Sequence, residues 1–150
     1  MKIALGCDHG GFEHKRAIAE HLKSRGFEVV DCGIYENVSV DYPDIAVKVT
    51  QKITDKTCEL GILVCGTGIG MSMAANKVKG IRAAACSDHF SAKYTRLHNN
   101  ANVLCLGGRV IGIGTALELV DLFVDTGFEG GRHEKRVQKI SDIENYEKGK

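Results

Sequence analysis

VCGTGIGMS, residues 64–72, closes an apolar run and places a cysteine directly before three alternating glycines. The run it closes, ELGILVCG, is strand-like, and the residues from Ile69 to about Val78 read as a helix. A strand that ends in glycines and opens into a helix is the middle of a βαβ unit. The same alternation continues on both sides. KIALGC, GFEHKRAIAEHLKSRG, FEVVDCG and PDIAVKVTQKITD precede it, and IRAAAC, DHFSAKYTRLHNN, NVLCLGG and IGTALELVDLFVDTG follow. Strands alternating with helices predict right-handed crossovers and an α/β fold, a Rossmann-like three-layer sandwich with a five-stranded parallel sheet. In the first helix Phe12, Ile18, Ala19 and Leu22 share the apolar side, while His14, Lys15 and Glu20 are expected to fall away from it. The one long connection, DCGIYENVSVDYPD, ends at Pro43, which suits a first helical turn.

The 150 residues, 43% of them hydrophobic, suffice for a single domain over 1–150, with a charged helical tail from about 131. Lys and Arg number 20 against 19 Asp and Glu. That balance gives no global field for nucleic acid or an anionic membrane, so any anion site is local. The N-terminus MKIALGCDHG lacks the length and cleavage site of a signal peptide, and no run reaches membrane-spanning length, so a cytoplasmic location is expected. Six cysteines scattered singly through apolar runs are expected to be reduced thiols.

Glycines cluster after strands, at Gly10 and Gly11, at Gly66, Gly68 and Gly70, and at Gly107 and Gly108. In an open parallel sheet ligands bind beyond the carboxyl ends of the strands, where glycine lets the backbone approach an anion. GTGIG fits neither common phosphate loop. A P-loop needs a lysine after its last glycine, and the dinucleotide fingerprint needs GxGxxG where this chain has GxGxG, which removes a nicotinamide-dependent oxidoreductase. Met71 stands where a cysteine phosphatase loop would carry arginine. What remains is a thiol, Cys65, at a strand end beside backbone N–H groups at a helix N-terminus. That setting favours the thiolate, as base or nucleophile, and lets the same N–H groups hold an oxyanion. A small buried hydrophobe is the alternative for Cys65, and is the expectation for Cys7, Cys58, Cys86 and Cys105.

Other candidates have structural alternatives. In CDHGG, Asp8 suits a helix cap and His9 a turn; in SDHF, Asp88 is read as an N-cap and His89 as a surface residue. His98 and Asn99 in LHNNANV suit a helix C-terminus. Arg132 and Arg136, four apart in GGRHEKRV, can grip one phosphate or simply face water. No His, Cys or carboxylate set has zinc-ligand spacing, so no metal and no cofactor are expected.

GCDHGG at the first strand, CGTGIGMS at the third, HNNANVLCLGGRVIG near the fifth and GGRHEKRV in the tail together resemble type B ribose-5-phosphate isomerases over essentially the whole chain. That family also includes galactose-6-phosphate and allose-phosphate isomerases. The resemblance implies cofactor-independent interconversion of ribose 5-phosphate and ribulose 5-phosphate through a cis-enediolate. Cys65 would be the base, Thr67 and the backbone of Gly66, Gly68, Ile69 and Gly70 would hold the oxyanion, and His98 would assist ring opening. Asp8 and Asn99 would contact sugar oxygens, and His9, Arg109, Arg132 and Arg136 the phosphate. Some relatives use a glutamate in the glycine loop; this loop contains no acid, so the chain resembles the cysteine-base group. A sugar-phosphate or nucleotide sensor on the same fold is the competing class, and it would not need Cys65.

Topology adds an expectation of its own. Cys65 ends a strand, whereas His98 ends the crossover helix after the fourth strand and so lies toward the opposite edge. A helix of about ten residues spans ~15 Å, too far for both to serve one substrate within one chain. A two-fold dimer with shared active sites, possibly a tetramer, resolves this.

Overall fold

A computed structural model describes residues 1–146. β1 (Lys2–Cys7) leads through a 3-10 turn (His9–Gly11) into α1 (Phe12–Ser24), followed by β2 (Glu28–Asp31), α2 (Tyr42–Thr54) and β3 (Leu60–Cys65). Then come α3 (Ile69–Ala75), β4 (Ala83–Ala85), α4 (His89–Asn99), β5 (Val103–Gly107), α5 (Ile113–Asp125) and α6 (Arg132–Ile143). The five strands are parallel in the order β2-β1-β3-β5-β4, the expected sheet.

The path of the chain sets the layers. Moves from β1 to β2 and from β4 to β5 run one way along the sheet, and moves from β2 to β3 and β3 to β4 run the other. Right-handed crossovers therefore put α1 and α4 on one face, where α5 joins them, and α2 and α3 on the opposite face. With helices on both sides, β3 and β5 are buried at every position and β1 from Ile3 onward, which is why these strands read as nearly continuous apolar runs. Phe123, Leu119, Ile18 and Leu22 are among the fully buried side chains, each contributing on the order of 1.5–3 kcal/mol by leaving water. Gly6 and Gly61 let α2 sit close, since a Cβ on either would come within 2.8 Å of a Val49 methyl.

Two local expectations are corrected. α3 stops at Ala75, three residues short of Val78. Asn76 ends it by turning its side-chain amide onto both backbone groups of Ala83, at 2.8 and 2.9 Å, and so pairs the exposed edge of β4. Lys15 does not fall away from the apolar side. It is 2% exposed, and its Nζ donates at 2.9 Å to both carboxylate oxygens of Asp31 and at 2.6 Å to the Ile34 carbonyl. Its aliphatic stem lies along the core while the ammonium reaches the end of β2, tying α1 to the loop that leads to Tyr42. Pro43 lies in the first turn of α2 and Asp88 caps α4 through Ser91 N–H, as read from sequence.

Candidate active site

The direction of chain travel reverses between β1 and β3, which makes their carboxyl ends the topological switch point of the sheet. Register brings these ends level, with Cys7 beside Val64 and Cys65 beside Gly107. The loops beyond them are bound to one another. Asp8 N–H donates to Val64 O at 3.1 Å, Gly108 N–H to Cys65 O at 2.8 Å and Arg109 N–H to Gly66 O at 3.0 Å. Several glycines exist for this contact: a Cβ on Gly10 would stand 2.8 Å from Gly66 N, and one on Gly108 would overlap Gly10 O. The glycines thus pack loop on loop.

Cys65 is 5% exposed, and its Sγ accepts the Gly68 N–H at 3.1 Å. Gly68 holds φ +80°, and a Cβ there would press to 2.9 Å from the Leu106 carbonyl carbon, so this position needs glycine on two counts. Thr67 Oγ1 accepts Ile69 N–H at 3.2 Å and thereby holds the first turn of α3. Part of the loop's donor set is therefore spent on holding the thiol and the loop itself. The cysteines are all free. Burial pushes the thiols of Cys7 and Cys86 up to about 11 and raises Cys32, Cys58 and Cys105 as well, so these five stay protonated at neutral pH.

Around this thiol the structure gathers the expected site residues other than His98, Asn99, Arg132 and Arg136. Asp8 is nearly buried and its Oδ1 accepts the Gly10 N–H at 2.8 Å, so its capping role is realised beside the thiol loop. His9 opens the 3-10 turn and is exposed, and the Arg109 guanidinium lies against Gly66, its Nη1 3.3 Å from where a Cβ would stand. Gly70 packs under the ring of Tyr42 so closely that a Cβ there would displace the ring.

His98, Asn99, Arg132 and Arg136 form a second group at the opposite edge. α4 ends at Asn99, Asn100 turns left-handed at φ 47°, and β5 begins at Val103 beside Gly61. Cys65 lies four positions further up the sheet, about 13 Å along the strand direction. The His98 ring is clamped by neighbours from its own edge. It stacks on His133 at 4.0 Å and 12°, meets Tyr94 edge-on at 4.9 Å, and its Nε2 lies 3.7 Å from Glu129 Oε2. Burial, together with the charges of His98, Arg132 and Arg136, holds the His133 imidazole below the usual histidine range.

Tyr42, Glu129 and His133 were missed from sequence. Tyr42 had one signal, its place at the end of the long loop; Glu129 and His133 had none, because stacking on His98 joins positions 35 residues apart. The ligand-type atoms of His98, Glu129 and His133 lie within 4.8 Å of one another, a grouping invisible in sequence spacing. Arg132 and Arg136 flank it, and two fixed positive charges favour an anion there over a cation.

A thiol held by a backbone N–H at the switch point of a doubly wound parallel sheet places the protein in the class of α/β enzymes whose sites are built by loops on a rigid sheet. The family model described as Ribose/Galactose Isomerase matches residues 3–140. The chain belongs to that family. It is 48% identical over 143 residues to ribose-5-phosphate isomerase B of Escherichia coli, covering 95% of this chain and 96% of that protein. Ribose-5-phosphate isomerase B of Clostridium thermocellum superimposes with a TM-score of 0.96 at 52% identity, over 98% of this chain and 99% of that one. The Mycoplasma genitalium enzyme, solved with bound ribulose-5-phosphate, gives 0.92 at 44% identity, over 99% and 97%. No helix among the described residues is long and apolar enough to cross a membrane.

Proposed function

We propose that the protein interconverts ribose 5-phosphate and ribulose 5-phosphate, with Cys65 as the proton-transfer base. The observation that carries this reading is the Cys65 Sγ, seated at the switch point with the Gly68 N–H on it and no carboxylate in its loop. The deprotonated sulfur is the form that can take a proton from carbon. The thiolate removes the C2 proton of the open-chain aldose, and the C–H electron pair becomes the C1–C2 double bond as O1 takes the negative charge. The O2 hydroxyl proton passes to O1, which moves the charge to O2, and return of the proton to C1 as the C2=O bond forms yields the ketose. Backbone N–H groups of residues 66–70 and Thr67 stabilise the enediolate as its charge develops. Asp8 takes sugar hydroxyls, Asn99 a substrate oxygen, and His98 the proton transfer that opens the furanose ring.

His9, Arg109, Arg132 and Arg136 bind the phosphate. Arg132 and Arg136 occur one turn apart on α6 and are exposed, which leaves their charges accessible to a ligand. Either arginine changed to Ala is expected to raise KM for ribose 5-phosphate roughly 10–100-fold, since a charge-assisted bond contributes about 1.5–3 kcal/mol. Unchanged KM and kcat/KM in both variants would leave α6 an ordinary solvated helix.

The separation of the two residue groups supports a working unit of two chains, with His98, Asn99, Arg132 and Arg136 of one subunit completing the Cys65 site of the other. Six free thiols suit a reducing compartment, in keeping with a cytoplasmic enzyme. The decisive assay uses metal-stripped protein with ribose 5-phosphate, allose 6-phosphate and galactose 6-phosphate in parallel. The highest kcat/KM is expected for ribose 5-phosphate; a hexose phosphate ranking first would reassign the substrate, and binding without turnover of any would make the protein a sensor.

A further inference from the structure

We propose that Glu129 is a positioning residue for His98, fixing the imidazole and supplying the negative charge that lets it carry a proton while the sugar ring opens. This rests on the reading of His98 as the ring-opening group. The Glu129 carboxylate spans two imidazoles, with Oε2 3.7 Å from His98 Nε2 and Oε1 3.9 Å from His133 Nε2. It is the one carboxylate within ion-pair distance of His98 among the described residues. Its place is set by backbone: Glu129 N–H donates to Leu97 O at 3.0 Å, which closes the connector onto the last turn of α4 next to His98. Gly130 and Gly131 follow at φ 71° and 56° and turn the chain at once into α6, so that His133 arrives beneath the His98 ring.

The three side chains are not equivalent. His133 is 5% exposed and its Nε2 is buried without a hydrogen-bond partner, so water does not compensate a second proton there. His98 is one-third exposed on its side chain and is the imidazole that can meet a ligand. The groups facing it are Tyr94 from its own helix, Glu129 from the connector, and His133 with the nearby Arg132 and Arg136 from α6. The two arginines add positive charge beside this pair of imidazoles. Glu129 offsets them, and its hold on Nε2 leaves the other ring nitrogen for the substrate.

The chemistry supplies a test that separates this role from folding. Ribulose 5-phosphate has no ring to open, because its 5-oxygen carries the phosphate; its C1 proton can exchange through the enediolate without ring-opening help. Glu129→Gln is expected to lower kcat on ribose 5-phosphate on the order of 10–100-fold, a part of what acid–base assistance contributes. KM should stay within about threefold, and exchange of the ribulose 5-phosphate C1 proton in D2O, followed by NMR, should remain near the wild-type rate. Glu129→Asp, which keeps the charge, should recover part of the loss. His98→Asn, run alongside, should show the same split more strongly. If His98→Asn shows the split while Glu129→Gln turns over normally, or loses exchange and isomerisation together, the positioning role is overturned and the ring-opening role stands. If His98→Asn shows no split, the ring-opening role itself fails and the inference falls with it.

Discussion

Cys65→Ala is expected to lower kcat for ribose 5-phosphate by roughly 10³-fold or more, while KM stays within a few-fold. The sulfur is the only atom removed that can take a proton from carbon, and the loop carries no acid to replace it. Substrate binding should survive, since the phosphate and hydroxyl contacts proposed above come from other residues. The side chain is small and nearly buried, so its loss leaves a void of little more than one atom, and the loop remains tied through Cys65 O to Gly108 N–H. Steady-state kinetics and substrate titration of the variant check this directly. In D2O the wild type should wash the C2 proton of ribose 5-phosphate into solvent, and the variant should not. Activity within tenfold of wild type would remove the thiol as base, and complete retention of the label in product would replace proton transfer by a hydride shift.

Mixing two inactive variants is expected to restore activity. In a dimer that pairs one Cys65→Ala chain with one His98→Asn chain, one shared site is doubly altered and the other has both wild-type residues. Random reassociation of equal amounts makes half of the dimers mixed, so recovery should approach about a quarter of wild-type activity. The physical basis is the level of each residue in the sheet: Cys65 lies beside Gly107, at the end of β5, while His98 lies before its start. An imidazole cannot cover the ~13 Å along the strand direction. The His98 ring is also held away by Tyr94 and His133. Co-refolding the two variants, with mixed dimers verified by mass or charge, makes the measurement. No recovery in verified mixed dimers would place Cys65 and His98 in one site within one chain.

The local features of this chain were legible because each rests on a short window. Short apolar runs marked all five strands, Pro43 marked the start of α2, and Asp88 marked the cap of α4. Cys65 stood out for the same reason, since a strand end, a thiol and a helix start fall within nine residues. Windows failed where a side chain had a distant partner. Lys15 looked like a solvent-facing residue because helical periodicity records polarity, not the Asp31 carboxylate waiting at the end of β2. α3 looked longer because nothing nearby shows that Asn76 pairs with Ala83.

Alternating strands and helices, a core made of continuous apolar strands, and a thiol on a glycine loop at a strand end all followed from residue order, because backbone preference and hydrophobic period act over a few residues. The strand order β2-β1-β3-β5-β4, and with it the switch point that brings Gly10 against Gly66, came from tertiary structure. So did Tyr42 over Gly70 and the clamp of Glu129 and His133 on His98. These contacts depend on which way each crossover carries the chain across the sheet, a choice made by packing of whole helices against both faces and recorded in no single stretch of sequence.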